Sequence, residues 1–265
     1  MKGSIAAKGR KTPTGRYFIE AVGKAIEVLW AFQGRSEGLT IDEAAAHTHI
    51  AKSSVYRLLC TLVDTGILSF EPESGRYFLG AQYFQLAASA EPEIKRVAEP
   101  FMRRLWMQVQ ETINLGVLNA GEVLFLSRIV SPHPFRLEMS TGGRSPLYCT
   151  ALGKAMAAHL PWEQVERILQ EKKMQRLTSK TITNPRKFSD EIAKIRSNGY
   201  AVDDEEVVEG GRCVASAIFN AEGRAAGALS ISGPATRISI ARIPELAAAI
   251  KDTCSGISDR LGFRP

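Results

Sequence analysis

AKSSVYRLLCTLVDTG, residues 51–66, decides how the first part of the chain folds. Its apolar residues Val55, Leu58, Leu59, Leu62 and Val63 recur at i, i+3, i+4, i+7 and i+8, one stripe of an amphipathic helix. Gly66 stands where a C-cap belongs. At about 100° per residue the opposite side carries Ser53, Arg57, Cys60 and Asp64, with Ser54, Tyr56 and Thr61 flanking. The first turn therefore offers Lys52, Ser53, Ser54, Tyr56 and Arg57 to solvent. These side chains suit nucleic acid: Arg pairs bidentately with guanine, Ser and Tyr bond phosphates or bases, and a helix N-terminus favours a phosphate.

The neighbouring segments complete a plan. Upstream, Thr40 and Glu43 in LTIDEAAAHTHI form a capping box that starts a short helix, and HTHI breaks it. Before that, YFIEAVGKAIEVLWAFQG places Val22, Ile26, Leu29 and Phe32 at helical spacing, and Gly34 closes it. Downstream, ILSFEPESGRYFLG is a hairpin whose turn uses Gly75 at positive φ. Helix, short helix, turn, helix and hairpin make a winged helix-turn-helix over residues 17–80. Thr40, Lys52, Ser53, Ser54, Tyr56, Arg57 and, on the wing, Arg76 are the DNA-contact candidates. A solvated polar face is the competing reading, and the agreement of all five elements weighs against it. Residues 1–16 carry Lys2, Lys8, Arg10, Lys11 and Arg16 with no acid, a basic arm for a polyanion or a solubilising tail. They hold no apolar run of the kind a secretory signal needs.

The chain has 265 residues, 45% hydrophobic and 23% charged, with net charge +6. That is enough for two domains with their own cores. No stretch nears the ~18 apolar residues of a membrane span. Cys60, Cys149, Cys213 and Cys254 are far apart and form no CxxC, which excludes a zinc ribbon or disulfide framework and fits a reducing cytoplasm. The turn histidines His47 and His49 have no further ligands at metal-site spacing. There is no GxSxG or HExxH, and LGKA at 152–155 lacks the remaining residues of a phosphate loop. No enzyme, catalytic residue, metal or cofactor is expected.

Residues 81–94, with the Ala-rich AQYFQLAASA, read as a linker helix, and 95–265 as the second domain. A long helix aligns Val97, Phe101, Leu105 and Val109, with Pro100 inside it. TINLGVLN and VLFLSRIV form a hairpin, FRLEM (135–139) a third strand, and CVASAIFN and RAAGALSISG a second hairpin. Between them lie helices, with Pro161 and Pro185 at N1-type positions. Without strict βαβ alternation, the class is α+β with an antiparallel sheet.

Three segments look like pocket walls. TGGRSPLYCTALGKA runs from a Gly-rich loop into a helix. YAVDDEEVVEGGRC ends one strand and enters another. ALSISGP sets Ser230 and Ser232 on one strand face. The competing reading has the serines satisfying backbone groups and Cys149 and Cys213 as small core residues. Adjacent residues of a strand point to opposite sides. Hence Asp203 faces the pocket, Cys213 returns to it, and Asp204, Glu205 and Glu206 are rim, loop or interface charge.

AKSSVYRLLCTLVDTGIL, RSPLYCTALGKAMAA, GYAVDDEEVVEGGRCVASAIFN and GALSISGP, in this order, resemble the IclR-type bacterial transcription factors over nearly the whole chain. The resemblance implies a winged helix-turn-helix, a linker helix and a GAF/profilin-like effector domain with a six-stranded antiparallel sheet. It implies a homodimer or dimer of dimers on a palindromic or pseudo-palindromic double-stranded operator, answering to a small organic or aromatic acid. The family's ligand positions fall on the backbone of Ala151 and Leu152, and on Asp203, Cys213, Ser230 and Ser232. Leu152 is bulkier than the small residue of some members, which narrows or reshapes the pocket. Leu124, Leu126, Leu137 and Leu147, on less distinctive segments, are candidates for tuning effector choice. The rival is a DNA-binding redox or metal sensor using Cys149, Cys213 or His133.

Overall fold

A computed structural model describes residues 17–89, 92–137 and 140–264, so the basic arm lies outside the described residues. The chain divides into two compact units, Met1–Glu91 and Pro92–Pro265.

The first unit holds α1 (Glu20–Trp30), α2 (Ile41–Thr48), α3 (Lys52–Asp64), the hairpin β1 (Leu68–Glu71) and β2 (Arg76–Leu79), and α4 (Ala81–Ser89). The capping box forms: the Thr40 hydroxyl accepts from the Glu43 amide at 3.3 Å, and Glu43 Oε2 accepts from the Thr40 amide at 2.9 Å. His49, left-handed at φ 55°, ends α2 and sets the tight turn. Val55, Leu59 and Leu62 of α3 enter a core with Val28, Phe32, Leu39, Ala44, Leu68 and Tyr77. Val22 and Ile26 do not: that stripe of α1 faces outward, and Val28 and Phe32 carry the inward contact. Gly75 turns the hairpin at φ 66°, its amide bonded to Glu71 O at 2.9 Å. The segment read as a linker is split: α4 packs on β1 within this unit, and a new helix starts at Glu93.

The second unit contains α5 (Glu93–Val109), β3 (Thr112–Asn119), β4 (Glu122–Ile129), β5 (Arg144–Pro146), α6 (Ala151–Ala157), α7 (Trp162–Lys172), α8 (Pro185–Asn198), β6 (Ala201–Asp204), β7 (Gly211–Phe219), β8 (Ala225–Pro234) and α9 (Ile243–Arg260). The strands form one six-stranded antiparallel sheet, β5-β4-β3-β8-β7-β6. Strand alternation sorts residues between two layers. Ile113, Leu115, Val214, Ile218, Leu229 and Ile231 face α5 and α9. Ala201, Ala215 and Ala228 face α6, α7 and α8, and these small residues let α6 lie close on the sheet.

Two expectations change. Residues 135–137 of FRLEM are not strand; the third strand is Arg144–Pro146, paired with Glu122–Leu124. Pro132 and Pro134 interrupt the approach, and the Phe135 carbonyl accepts from Arg237 at 2.9 Å instead of from a ladder. Pro185 does open α8, but Pro161 is the N-cap of α7 rather than its first helical residue.

Candidate functional site

On α3, Lys52, Ser53, Tyr56 and Arg57 are exposed and Ser54 is half-buried, so the side chains chosen from the helical wheel do share one outward face. Lys52 also reaches Asp42 at 2.6 Å across solvent, a weak exposed pair. Thr40 acts as the helix cap. Arg76, the wing candidate, is half-exposed. Its guanidinium bonds Glu43, at 3.0 and 3.3 Å, and the Gly38 carbonyl at 3.0 Å. The Thr40 amide and Arg76 together hold the Glu43 carboxyl below its usual range. Arg76 thus ties the wing to the cap of α2.

In the second unit the register gathers the polar residues into two adjacent rows. Asp203 pairs with Cys213, Cys213 with Ser232, and Ser232 with Thr112, across β6, β7, β8 and β3. The next row runs Ala215, Ser230, Asn114, Arg128. Both face the α6 layer. Asp203, Thr112, Asn114, Ser230 and Ser232 are buried, whereas Cys213 is half-buried among them. Asn114 Nδ2 donates to Ser230 Oγ at 3.2 Å and Ser232 Oγ at 3.0 Å. Thr112 Oγ1 accepts from the Ser131 amide at 3.1 Å.

Helix α6 covers these rows. Its cap Thr150 accepts from the Gly153 amide at 3.0 Å and donates to Pro146 O at 2.9 Å. The amides of Ala151 and Leu152 precede the first helical bond, Lys154 N to Thr150 O at 2.9 Å, and so have no partner within the helix. Leu152 lies over Gly116, where an added Cβ would meet its Cδ1 at 3.0 Å. Gly116 is two residues from Asn114 on the same face, so Leu152 packs beside the rows. Leu137 packs against Gly211 at the start of β7, and Leu147 is buried beneath Gly153. Leu124, opposite Val117, and Leu126, in the α5–α9 core, belong to the other face of the sheet.

The acidic stretch is more divided than the sequence suggests. Burial pushes the Asp203 carboxyl up from 3.8 to about 6, opposed by the Glu206 amide, which donates to its Oδ1 at 2.8 Å. Asp204, at the end of β6, pairs with Arg212 at 2.7 Å, and Glu205, in the loop, pairs with Lys180 at 2.8 Å. Glu206 is not rim charge. It is buried and ion-paired with Lys154, a fully buried ammonium on α6 that also lies 3.8 Å from Glu191. Burial raises the Glu206 carboxyl against the pull of that ammonium. Thr178 and Thr181 fix the loop by donating to the Glu205 and Glu206 carbonyls, each at 2.7 Å.

Among the described residues no three His, Cys, Asp or Glu side chains converge to hold a metal. Burial pushes the Cys149 thiol up to about 12 and raises Cys213 as well. Thiols so far from ionisation are poor nucleophiles, contrary to what a cysteine redox sensor requires. His133 is exposed on the loop after β4. A cleft of about 390 Å³ between α5 and α9, with Phe101, Arg104, Gln108 and Asp252 on its walls, lies on the opposite side of the sheet from the rows. No described helix is long and apolar enough to cross a membrane.

A winged helix with an outward polar recognition helix, carried on the same chain as a six-stranded sheet unit, defines a DNA-binding regulator. Residues 21–72 match the family described as the IclR helix-turn-helix domain, and residues 87–259 match the bacterial transcriptional regulator IclR C-terminal family. The chain therefore belongs to the IclR family of bacterial transcriptional regulators. It is 34% identical over 242 residues to the HTH-type transcriptional regulator BhcR of Paracoccus denitrificans, covering 91% of this chain and 86% of that one. It is 33% identical over 247 residues to the HTH-type transcriptional regulator KdgR of Escherichia coli, covering 92% and 94%. Among solved structures, an IclR homolog complexed with 4-hydroxybenzoate from Microbacterium hydrocarbonoxydans superposes with a TM-score of 0.83 at 25% identity, over 91% of this chain and 98% of that one.

Proposed function

We propose that the polar rows on β6, β7, β8 and β3 bind a small organic or aromatic acid, and that its binding sets the protein's affinity for an operator. The supporting observation is the half-buried Cys213 set among Asp203, Ser230, Ser232, Thr112 and Asn114 on one sheet face, under α6 with its Ala151 and Leu152 amides. Few convergent polar groups in an apolar concavity are the usual form of a small-molecule site. The 4-hydroxybenzoate complex of the Microbacterium relative supports the acid class. A homodimer or dimer of dimers, in the cytoplasm, would present two recognition helices to a palindromic or pseudo-palindromic site. An acid preferred by one subunit arrangement would shift the population toward it and change the helix spacing.

On the DNA side, Lys52, Ser53, Ser54, Tyr56 and Arg57 make the contacts, with Thr40 at the cap of α2 and Arg76 on the wing beside them. Arg57→Ala is expected to weaken binding to a DNA site selected by the protein from a random-sequence pool by about tenfold or more, in a fluorescence-anisotropy titration. Wild-type affinity in that variant contradicts the assignment of the recognition face.

A further inference from the structure

Asn114 occupies the middle of the second polar row and is only 2% exposed. Its Nδ2 hydrogens go to Ser230 and Ser232. The two serine oxygens lie 3.2 Å apart, so one hydroxyl donates to the other. Counting hydrogens leaves two groups unmatched. Asn114 Oδ1 has no donor. The second serine hydroxyl hydrogen is not used in these bonds; Ser232 lies beside the Cys213 sulfur, a weak acceptor.

A buried carbonyl oxygen without a donor is rare in folded proteins and costs free energy. Here an unmatched acceptor and a spare donor lie side by side, and a single group that both donates and accepts satisfies them. A hydroxyl does this. A carboxylate or keto oxygen only accepts, and an alkyl carbon does neither. The other buried side-chain atom without a partner among the described residues, Glu206 Oε2, is also an acceptor. It belongs to the residue whose amide bonds Asp203.

We propose that Asn114 contacts the effector and that the effector is a small hydroxy acid. Its hydroxyl donates to Asn114 Oδ1 and accepts from Ser230 or Ser232. This rests on the rows being the effector site. It narrows the acid class to members bearing a hydroxyl, and it adds a specificity-determining residue.

Acids that differ only by the hydroxyl test it. Lactate with propionate, 3-hydroxybutyrate with butyrate, and 4-hydroxybenzoate with benzoate are titrated against the full chain, with Kd taken from the concentration dependence of Tm. In the wild type the hydroxylated member of at least one pair is expected to bind about tenfold or more tightly than its partner. In Asn114→Leu that ratio falls to near one. Equal affinities within every pair overturn the hydroxyl requirement and leave the effector site standing. A preference retained in Asn114→Leu overturns the Asn114 contact. Binding unchanged in both Asn114→Leu and Ser230→Ala overturns the effector site itself, and a panel without any binder overturns both readings. The wild-type ratio requires no variant, so a failure of Asn114→Leu to fold leaves the hydroxyl requirement open to refutation.

Discussion

Asp203→Asn is expected to stabilise the second unit at neutral pH, by an amount that shrinks in acid. Asp203 is 4% exposed, and burial raises its carboxyl from 3.8 to about 6. A folded-state value above the unfolded one means that the fold prefers the protonated form. The corresponding stability is fully present below about pH 4 and is lost as pH rises through about 6. At about 1.4 kcal/mol per pH unit, ionised Asp203 costs the fold ~3 kcal/mol at pH 8 and roughly half that at pH 5. Asparagine is neutral throughout and keeps an oxygen to accept from the Glu206 amide. The unit can be followed alone: of the three tryptophans only Trp30 lies in the first unit, so a Trp30→Phe background reports Trp106 and Trp162. Urea unfolding of the full chain in that background, at pH 8 and pH 5, should show the Asn variant more stable by ~3 and then ~1.5 kcal/mol. An identical difference at both pH values, or a variant less stable at pH 8, refutes the reasoning.

Lys154→Met leaves the Glu206 carboxylate buried without its ammonium, and the same unfolding assay is expected to show a loss of ~3–5 kcal/mol. Adding Glu206→Gln should recover most of it, and a fully stable single variant would show that the pair does not hold α6 to the loop. Gly153→Ala places a Cβ 2.2 Å from the Leu147 carbonyl oxygen, where backbone has to move. Its Tm should drop by an amount corresponding to about 1–3 kcal/mol, and an unchanged Tm contradicts the close seating of α6 on that loop.

Local rules made the first unit legible. A cap, a left-handed turn residue and a helical stripe are set by residues a few positions apart, and Thr40, Gly75 and the Val55–Leu59–Leu62 stripe follow them. Strand alternation likewise brought Asp203 and Cys213 to one face, and they are register partners. Contacts that close over long stretches of chain left no such trace. Glu206 meets Lys154 across 52 residues, Arg76 meets Glu43 across 33, and Asn114 meets Ser230 across 116. Each of these partners added what the sequence did not show: Glu206, read as rim charge, is a buried ion, Arg76 also ties the wing to the cap of α2, and Asn114 joins the polar rows. The strand expected at FRLEM failed for a different reason. Its apolar alternation was genuine, but the true edge strand, Arg144–Pro146, is three residues long and too short to show a pattern.

The effect of an acid on DNA binding tests the proposed link between the effector site and the recognition helix. An acid that raises the Tm of the full chain is titrated into the complex with a selected DNA site, and fluorescence anisotropy reads the fraction of DNA bound. In Ser230→Ala/Ser232→Ala the acid concentration that half-completes the anisotropy change is predicted to rise about tenfold or more over wild type. The same midpoint in both proteins would contradict the placement of the effector site on these rows.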